Sequence, residues 1–162
     1  MWIFQSWKFI GLVEMTNKSG AVVDTCVFCQ IIAGALPISV VYEDEVCIVF
    51  MDIQPVTPGH LLVVPKKHFV GLTDLDERTG EHLFRIGQVM ANSLKRSKIS
   101  CEGINLILAD GAVAFQTVFH VHLHVIPRTT EDGFGLTFGP EYKNPPPREV
   151  LDQIANEIKI HV

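Results

Sequence analysis

Three histidines alternate with aliphatic residues in the segment His120-Val121-His122-Leu123-His124. In an extended strand, successive side chains point to opposite faces, so the imidazoles would project from one face and the aliphatic side chains from the other. Neighbouring histidines would lie roughly 6–7 Å apart at their Cα atoms, because a strand rises about 3.3 Å per residue. The pattern therefore predicts a strand that presents three nitrogen bases to one site.

Three interpretations of these histidines are open. A single histidine on a strand is commonly a half-buried structural residue, but a core does not need three in register. Neutral imidazole is also a common metal ligand. An imidazole can equally attack phosphorus or another electrophile while its neighbours orient it or donate protons. Metal binding and catalysis are compatible if different histidines serve each purpose.

Composition and charge narrow the class of protein. A chain of 162 residues can bury a sizeable core, and its formal charge of −5 argues against a nucleic-acid polymer as the ligand. A small anionic ligand is compatible, since backbone amides and imidazoles can hold phosphate. The apolar run 9–13 is too short for a membrane span, so we expect no secretory signal and no membrane partner.

The spacing and surroundings of the four cysteines indicate the redox state of the compartment in which the protein works. Cys26 and Cys29 form a Cys-x-x-Cys pair, whereas Cys47 and Cys101 stand in apolar surroundings that are typical of core. This set indicates reduced thiols or metal ligands in the cytoplasm rather than a disulfide scaffold. A redox motif is the rival interpretation of the pair, but it requires a thioredoxin-like context that the sequence does not show.

Periodicity and turn residues predict one α+β domain over residues 21–162, preceded by a flexible extension at 1–20. Asp74, with Glu77 three residues later, indicates a capping box at the start of the central helix. Short connections between neighbouring strands favour antiparallel pairing. The predicted strands are 40–43, 46–51, 60–64, 103–109 and 119–127, and the predicted helices are 26–33, about 76–98 and 149–159.

With its surroundings, the alternating segment resembles the signature of the histidine-triad (HIT) family. The resemblance covers roughly residues 26–138 and is strongest to the Hint-type bacterial branch, because the uridylyltransferase branch differs at the position of His124. The other stretches that match in order are Cys26-Val27-Phe28-Cys29-Gln30-Ile31-Ile32-Ala33-Gly34, Val41-Tyr42-Glu43-Asp44-Glu45, Asp52-Ile53, Pro58-Gly59-His60, Val64-Pro65-Lys66-Lys67-His68, Gln116-Thr117 and Asp132-Gly133-Phe134-Gly135.

The resemblance implies a HIT fold, which is a five-stranded antiparallel sheet with a central helix and short terminal helices, continued across a homodimer. It also implies hydrolysis at the α-phosphate of adenosine-type phosphoramidates or dinucleoside polyphosphates, with an AMP-like product. His122 would be the nucleophile that forms a nucleotidyl-histidine, and His124 would hydrogen-bond a non-bridging phosphate oxygen. His60 would orient the triad from beneath; a core histidine is the alternative.

By the same resemblance, zinc is the expected cofactor and no organic cofactor is needed. The implied ligands are Cys26, Cys29, His68 and His120. Two thiolates and two imidazoles complete a tetrahedral set with no open position, so such a zinc ion would be structural. Thiols of Cys26 and Cys29 that only pack a small helix are the alternative.

The remaining expected site residues surround the nucleotide. The resemblance assigns Asp52 to the ribose hydroxyls, with a turn-capping aspartate as the alternative. Gln116 and Thr117 offer hydrogen-bond donors to phosphate in the loop before the triad. The positions that match a base sandwich are Val27, Phe28, Phe50, Ile53 and Leu62.

Two positions depart from the Hint-type pattern. Ala109 stands where an Asn normally precedes a pair such as Asp110-Gly111, and the missing amide would lie near the ribose-phosphate; Asn105 is expected to lie too far away to replace it. Phe115 stands where Gly is frequent, which would narrow the leaving-group side. Ala109 motivates an alternative function, a nucleotide-binding or partner-binding module with little turnover.

Overall fold

Five antiparallel strands and three helices form the part of the chain that this computed structural model describes, residues 26–162. This architecture confirms the α+β prediction, while the predicted extension at 1–20 lies outside the described residues. The strands are β1 (Val40–Glu43), β2 (Cys47–Met51), β3 (Leu61–Pro65), β4 (Gly103–Leu108) and β5 (Leu123–Arg128), in the sheet order β1-β2-β3-β5-β4. The helices are α1 (Val27–Ile32), α2 (Glu77–Arg96) and α3 (Arg148–Lys159).

The chain divides into two compact units, and the boundary follows Asp132. The first unit contains the sheet, α1 and α2. The second contains the 3-10 turn Pro140–Lys143 and α3, and in it the rings of Phe138 and Tyr142 stack with centroids 4.0 Å apart. The single domain predicted over 21–162 stays a prediction. Within the described part, no helix is both long and apolar enough to cross a membrane.

The two faces of the sheet carry different layers. Alternate residues of a strand point to opposite faces, and those of β2 and β3 divide between two buried clusters. One face packs against α2, and its cluster includes Val121, Leu123 and Val125. The other face packs against α1 through Phe28. Helix α2 approaches the sheet closely because residue 87 is glycine: a Cβ atom there would lie 2.7 Å from Cδ2 of Leu123.

Helix α2 begins two residues later than the capping pattern predicted. Asp76 is the N-cap, and its Oδ1 accepts a hydrogen bond from Thr79 N at 3.0 Å. Asp74 ends a 3-10 turn instead, and its carboxylate accepts from Gly71 N. The prediction that Asp74 caps α2 is therefore wrong. Both aspartates precede the helix closely, and the intervening turn decides which one reaches its first free amides.

The predicted fifth strand, 119–127, is shorter in the structure and begins at Leu123. Pairing with β3 ends where Val63 faces Leu123. Beyond that point β3 reaches Pro65, which has no N–H to donate. The chain before Leu123 is held instead by a hydrogen bond from Val121 N to Phe69 O at 2.7 Å. The alternation of faces persists through this segment, so the histidines stay on the α1 side. β1 has the predicted bounds, and the remaining element boundaries lie within two residues of the prediction.

Candidate active site

His122 is held by the backbone of its own triad. Its Nδ1 donates to the carbonyl oxygen of His120 at 2.7 Å. A carbonyl can only accept, so Nδ1 carries the proton and Nε2 keeps its lone pair in the neutral ring. The ring is buried, and burial lowers its pKa, although the His120 carbonyl and the charge of Asp52 oppose that shift. His122 therefore presents a neutral nitrogen base near pH 7.

His124 and His60 form a cluster of rings with His122. The ring of His124 lies 4.7 Å from that of His122 between centroids, and its Nδ1 lies 2.9 Å from Nε2 of His60. Burial lowers the pKa of His124 to about 4, and the charges of His122 and His60 add to the effect. Burial lowers the pKa of His60 as well. All three rings are therefore neutral hydrogen-bonding groups near pH 7.

Asp52 follows β2 and lies beside His60. Its Oδ2 is 3.5 Å from Nδ1 of His60, and its Oδ1 accepts from Gln54 N at 2.8 Å. The carboxylate thus caps the turn after β2, as the alternative interpretation held, and it also faces the histidine cluster. Its contact with ribose hydroxyls stays a prediction.

The expected base-sandwich residues do not share one environment. Phe28 of α1 is buried together with Phe50 and Leu62 of the sheet, and the ring of Phe28 meets that of His122 edge-on with centroids 5.1 Å apart. Val27 and Ile53 are exposed, Ile53 almost completely at 92%. The structure therefore places three of the five in one buried cluster that reaches the triad through Phe28 and leaves two at the surface.

Gln116 ties the loop before the triad to its surroundings. Its Nε2 donates to Val70 O at 2.7 Å, and its Oε1 accepts from Gly111 N at 2.8 Å. Asp110 supports the same loop, since its Oδ1 accepts from Leu72 N at 2.9 Å. The side chain of Gln116 is buried and holds the loop, whereas Thr117 is exposed. Phosphate binding by either residue stays a prediction.

The four predicted zinc ligands come together at one end of the triad. Nδ1 of His120 lies 3.4 Å from Sγ of Cys26 and 3.6 Å from Sγ of Cys29, and Nδ1 of His68 lies 3.2 Å from Sγ of Cys29. All four donor atoms lie within 4.8 Å of one another. Zinc bonds of about 2.3 Å to sulfur and about 2.1 Å to nitrogen separate tetrahedral donors by roughly 3.4–3.8 Å, so these residues fit zinc.

His120 is oriented for such a role. Its side chain is fully buried, and its Nε2 donates to Pro65 O at 2.8 Å. That bond leaves Nδ1, which faces the two sulfur atoms, as the nitrogen with a lone pair. A metal-ligating histidine commonly donates its other ring N–H to a backbone carbonyl in this way.

A second polar cluster surrounds Asp44, and no pattern in the sequence indicated it. Asp44, in the β1–β2 turn, accepts from His82 Nε2 at 2.7 Å, from Tyr42 Oη at 2.9 Å and from two backbone amides. Burial opposes ionisation of Asp44, but these hydrogen bonds outweigh it and hold its pKa well below the usual value. Burial raises the pKa of the adjacent Cys47 to about 12, so that thiol stays protonated. The cluster fastens the hairpin to α2.

Comparison with known proteins identifies the family. The HIT domain model matches residues 33–131. The chain belongs to the HIT domain family. HIT proteins bind nucleotides, and some of them are hydrolases.

Three relatives illustrate the extent of the likeness to other HIT proteins. A HIT family protein from Bacillus anthracis has a crystal structure with a TM-score of 0.79 and 41% identity, covering 86% of this chain and 98% of its own. A zinc-bound histidine triad family protein from Mycobacterium smegmatis has a TM-score of 0.67 and 43% identity, covering 72% and 84%. Adenylylsulfatase HINT3 from Arabidopsis thaliana is 33% identical over 115 residues, which are 71% of this chain and 58% of that protein.

Proposed function

We propose that this HIT protein is a nucleotide hydrolase of the Hint type that cleaves at the α-phosphate through a nucleotidyl-histidine on His122. One observation carries the proposal: the hydrogen bond from Nδ1 of His122 to the His120 carbonyl leaves Nε2 as the nitrogen with a lone pair. The low pKa of the ring supports a neutral nucleophile near pH 7. No separate base is then needed to activate it.

The reaction takes place in two displacements. The lone pair of His122 Nε2 attacks the α-phosphorus and forms a P–N bond, while the bond from phosphorus to the leaving group breaks. The leaving group departs with that electron pair and takes up a proton from solvent. Water then attacks the same phosphorus, its proton passes to solvent, and the P–N bond returns its electron pair to Nε2. His124, beside His122, hydrogen-bonds a phosphate oxygen as charge develops there.

The substrates we propose are adenosine-type phosphoramidates and dinucleoside polyphosphates, with an AMP-like product. Asp52 would accept hydrogen bonds from the ribose hydroxyls through the carboxylate that faces His60. Phe28, Phe50 and Leu62 supply the apolar wall, with Val27 and Ile53 at its rim. Gln116 and Thr117 would approach the phosphate from the loop that Gln116 holds in place. The name of the Arabidopsis relative, an adenylylsulfatase, supports a substrate with a group on the α-phosphate of an adenine nucleotide.

We also propose that Cys26, Cys29, His68 and His120 hold a structural zinc ion. The fit of their donor atoms and the zinc-bound relative from Mycobacterium smegmatis support this site. When bound, the metal would fix α1 and the triad segment to each other and would take no part in bond breaking, because four protein ligands leave no open position. The reduced Cys-x-x-Cys pair that such a site requires supports a cytoplasmic location.

A homodimer in which the sheet continues across the two-fold axis completes the proposal. In the described sheet β4 is an edge strand, and an edge offers unpaired backbone groups to a second copy. Phe84 of α2 is 62% exposed, which supports an interface on that helix. Light scattering coupled to size-exclusion chromatography should give twice the chain mass, and Phe84→Glu should shift it toward the monomer.

Hydrolysis of adenosine 5′-phosphoramidate tests the activity. We expect the wild type to release AMP, and His122→Ala to bind AMP but release none. His161→Ala is a matched control, because His161 lies in the second unit and is exposed, and it should match the wild type. Equal background release by wild type and His122→Ala would refute the proposal.

A binding module with little turnover is the second candidate function, and Ala109 is the observation that favours it. Ala109 is buried, and the Oδ1 of Asn105 accepts a hydrogen bond from Arg128, which supports the expectation that Asn105 does not replace the missing amide. For such a module, the wild type would bind AMP without hydrolysing the phosphoramidate. Ala109→Asn would then be expected to raise AMP release.

A further inference from the structure

A chain of hydrogen-bonding groups runs from the loop after β2 to His124. The backbone N–H of Val56 donates to Nδ1 of His60 at 3.2 Å, and Nε2 of His60 lies 2.9 Å from Nδ1 of His124. His60 is only 2% exposed, so both of its ring nitrogens are enclosed by these protein partners. The three groups therefore form one continuous chain.

The backbone N–H of Val56 sets the direction in which the hydrogen bonds run from His60 to His124. A backbone N–H can only donate, so Nδ1 of His60 has to accept and does not carry a proton. A neutral imidazole then has its proton on the other nitrogen, and His60 donates from Nε2 to Nδ1 of His124. By the same rule the proton of neutral His124 lies on Nε2. Burial, which lowers the pKa of both rings, keeps them neutral near pH 7.

We propose that the backbone amide of Val56, acting through His60, decides which nitrogen of His124 carries the proton. The catalytic consequence rests on the proposed function. With a proton on Nε2, His124 donates a hydrogen bond to the phosphate, whereas a bare Nε2 would present its lone pair to a negatively charged oxygen and repel it. Val56 and His60 are positioning residues, because they act on the phosphate only through His124.

Asp52 competes with Val56 for His60. Its Oδ2 lies 3.5 Å from Nδ1, and a carboxylate there favours a proton on that nitrogen. Such a proton would collide with the Val56 N–H and would reverse the tautomers of both rings. The Val56 contact is the shorter of the two at 3.2 Å, whereas 3.5 Å is long for a hydrogen bond between an imidazole N–H and a carboxylate oxygen. The amide therefore prevails over the carboxylate.

The tautomers can be read directly in the full-length protein labelled with ¹⁵N-histidine. Long-range ¹H–¹⁵N correlation spectra distinguish a protonated ring nitrogen from a bare one, without substrate or turnover. We expect a proton on Nε2 of His60 and of His124. A proton on Nδ1 of His124 in the wild type would overturn the inference. Because this measurement needs no activity, a wild type with these tautomers that releases no AMP would refute the proposed function alone.

A pair of substitutions with the same shape tests transmission through His60. His60→Gln places an amide donor near the position of Nε2, and His60→Glu places an acceptor there, at a pH at which the ¹³C shift shows the carboxylate ionised. We expect the proton of His124 to stay on Nε2 in the Gln variant and to move to Nδ1 in the Glu variant. The Glu variant should have a kcat about 10²–10³-fold below that of the Gln variant, the usual loss for one donor to a developing oxyanion. Identical His124 tautomers in the two variants would contradict the inference.

Three further variants separate the effect of the Val56 amide from that of the Asp52 carboxylate. Asp52→Asn removes the competing charge and should leave the tautomers of His60 and His124 unchanged; an inverted or mixed tautomer would show that the carboxylate sets the ring. Val56→Pro removes the N–H, and Val56→Ala keeps it. In a folded Val56→Pro protein, His60 should gain a proton on Nδ1, whereas Val56→Ala should match the wild type. If the proline variant does not fold, the His60→Gln, His60→Glu and Asp52→Asn variants still test whether the Val56 amide sets the tautomer of His124.

Discussion

His120 contacts both Cys26, another predicted metal ligand, and His122, the proposed nucleophile. Its imidazole Nδ1 lies 3.4 Å from Sγ of Cys26, and its backbone carbonyl accepts the hydrogen bond from Nδ1 of His122 at 2.7 Å. The segment between them precedes β5 and has no strand partner of its own. The position of His122 therefore depends in part on how firmly the side chain of His120 is held.

Metal removal should consequently weaken both stability and activity. We expect about one zinc equivalent per chain by elemental analysis of protein purified without added metal, and none in Cys29→Ser. Loss of the ion should lower the melting temperature by roughly 10 °C, the shift that about 3 kcal/mol produces in a chain of this size. AMP release should fall with it. Cys101→Ser is the control, because Cys101 lies outside the cluster. A wild type purified without zinc would contradict the prediction.

Acid should destabilise the folded protein through the buried histidines. The pKa of His124 is about 4 in the folded state, against about 6.5 in an unfolded chain. Between these values the unfolded chain binds a proton that the folded protein does not, so stability falls as the pH drops from about 6.5 to about 4. We expect about 2 kcal/mol from His124, allowing for its partial exposure. Urea unfolding measured across this pH range should show that the free energy of unfolding changes less with pH in His124→Gln than in the wild type. An equal dependence on pH in the two proteins would contradict the prediction.

Asp44→Asn should unfold more easily than the wild type. The substitution keeps an acceptor for the two backbone amides but removes the charge that binds His82 and Tyr42. Hydrogen bonds to a charged group each contribute about 1.5–3 kcal/mol, so we expect a loss of about 2–3 kcal/mol in chemical denaturation. Asp76→Asn is the matched control, because Asn caps a helix about as well as Asp, and its denaturation curve should stay close to that of the wild type. A loss of similar size in both variants would argue against the cluster.

Gly87→Ala should destabilise α2 although alanine is the better helix former. The added Cβ would lie 2.7 Å from Leu123 Cδ2, and overpacking of this kind costs about 1–3 kcal/mol. Gly80→Ala provides the comparison in the same helix. There the nearest atom, Leu75 Cδ2, is 3.5 Å away, so we expect a gain of about 0.5–1 kcal/mol in thermal unfolding. Two stabilising substitutions would mean that α2 does not pack so closely on β5.

Phe115→Gly should stabilise the loop before the triad. Phe115 has φ 71° and is 77% exposed, so it bears the cost of a left-handed backbone without burying its ring. Relief of about 1–2 kcal/mol is partly offset by the greater freedom of glycine in the unfolded chain, which leaves a net gain of roughly 0.5–1 kcal/mol. Phe115→Ala keeps most of the strain and should not share the gain. If the ring also narrows the leaving-group side, Phe115→Gly should widen the range of amines accepted in the phosphoramidate assay.

The sequence by itself determined the two sides of the triad, the class of the fold and the members of the proposed metal site. Alternation with a period of two is a local property, so it fixes which face of the sheet each histidine takes even where the chain is not paired as a strand. The resemblance to the HIT family indicated the four predicted zinc ligands, which are Cys26, Cys29, His68 and His120. Their donor atoms lie together in the structure.

Only the tertiary structure decided the contacts that orient those groups. Asp44 meets His82 across 38 residues of sequence, and His60 meets His124 across 64. No periodic pattern or common motif signals the first pair, which helix packing on the sheet brings together. The family resemblance placed His60 beneath the triad but did not indicate its contact with Nδ1 of His124, which depends on the pairing of β3 with β5. The same holds for the start of α2 at Asp76 and of β5 at Leu123. Local propensity allows several positions for each of these, and long-range packing selects one.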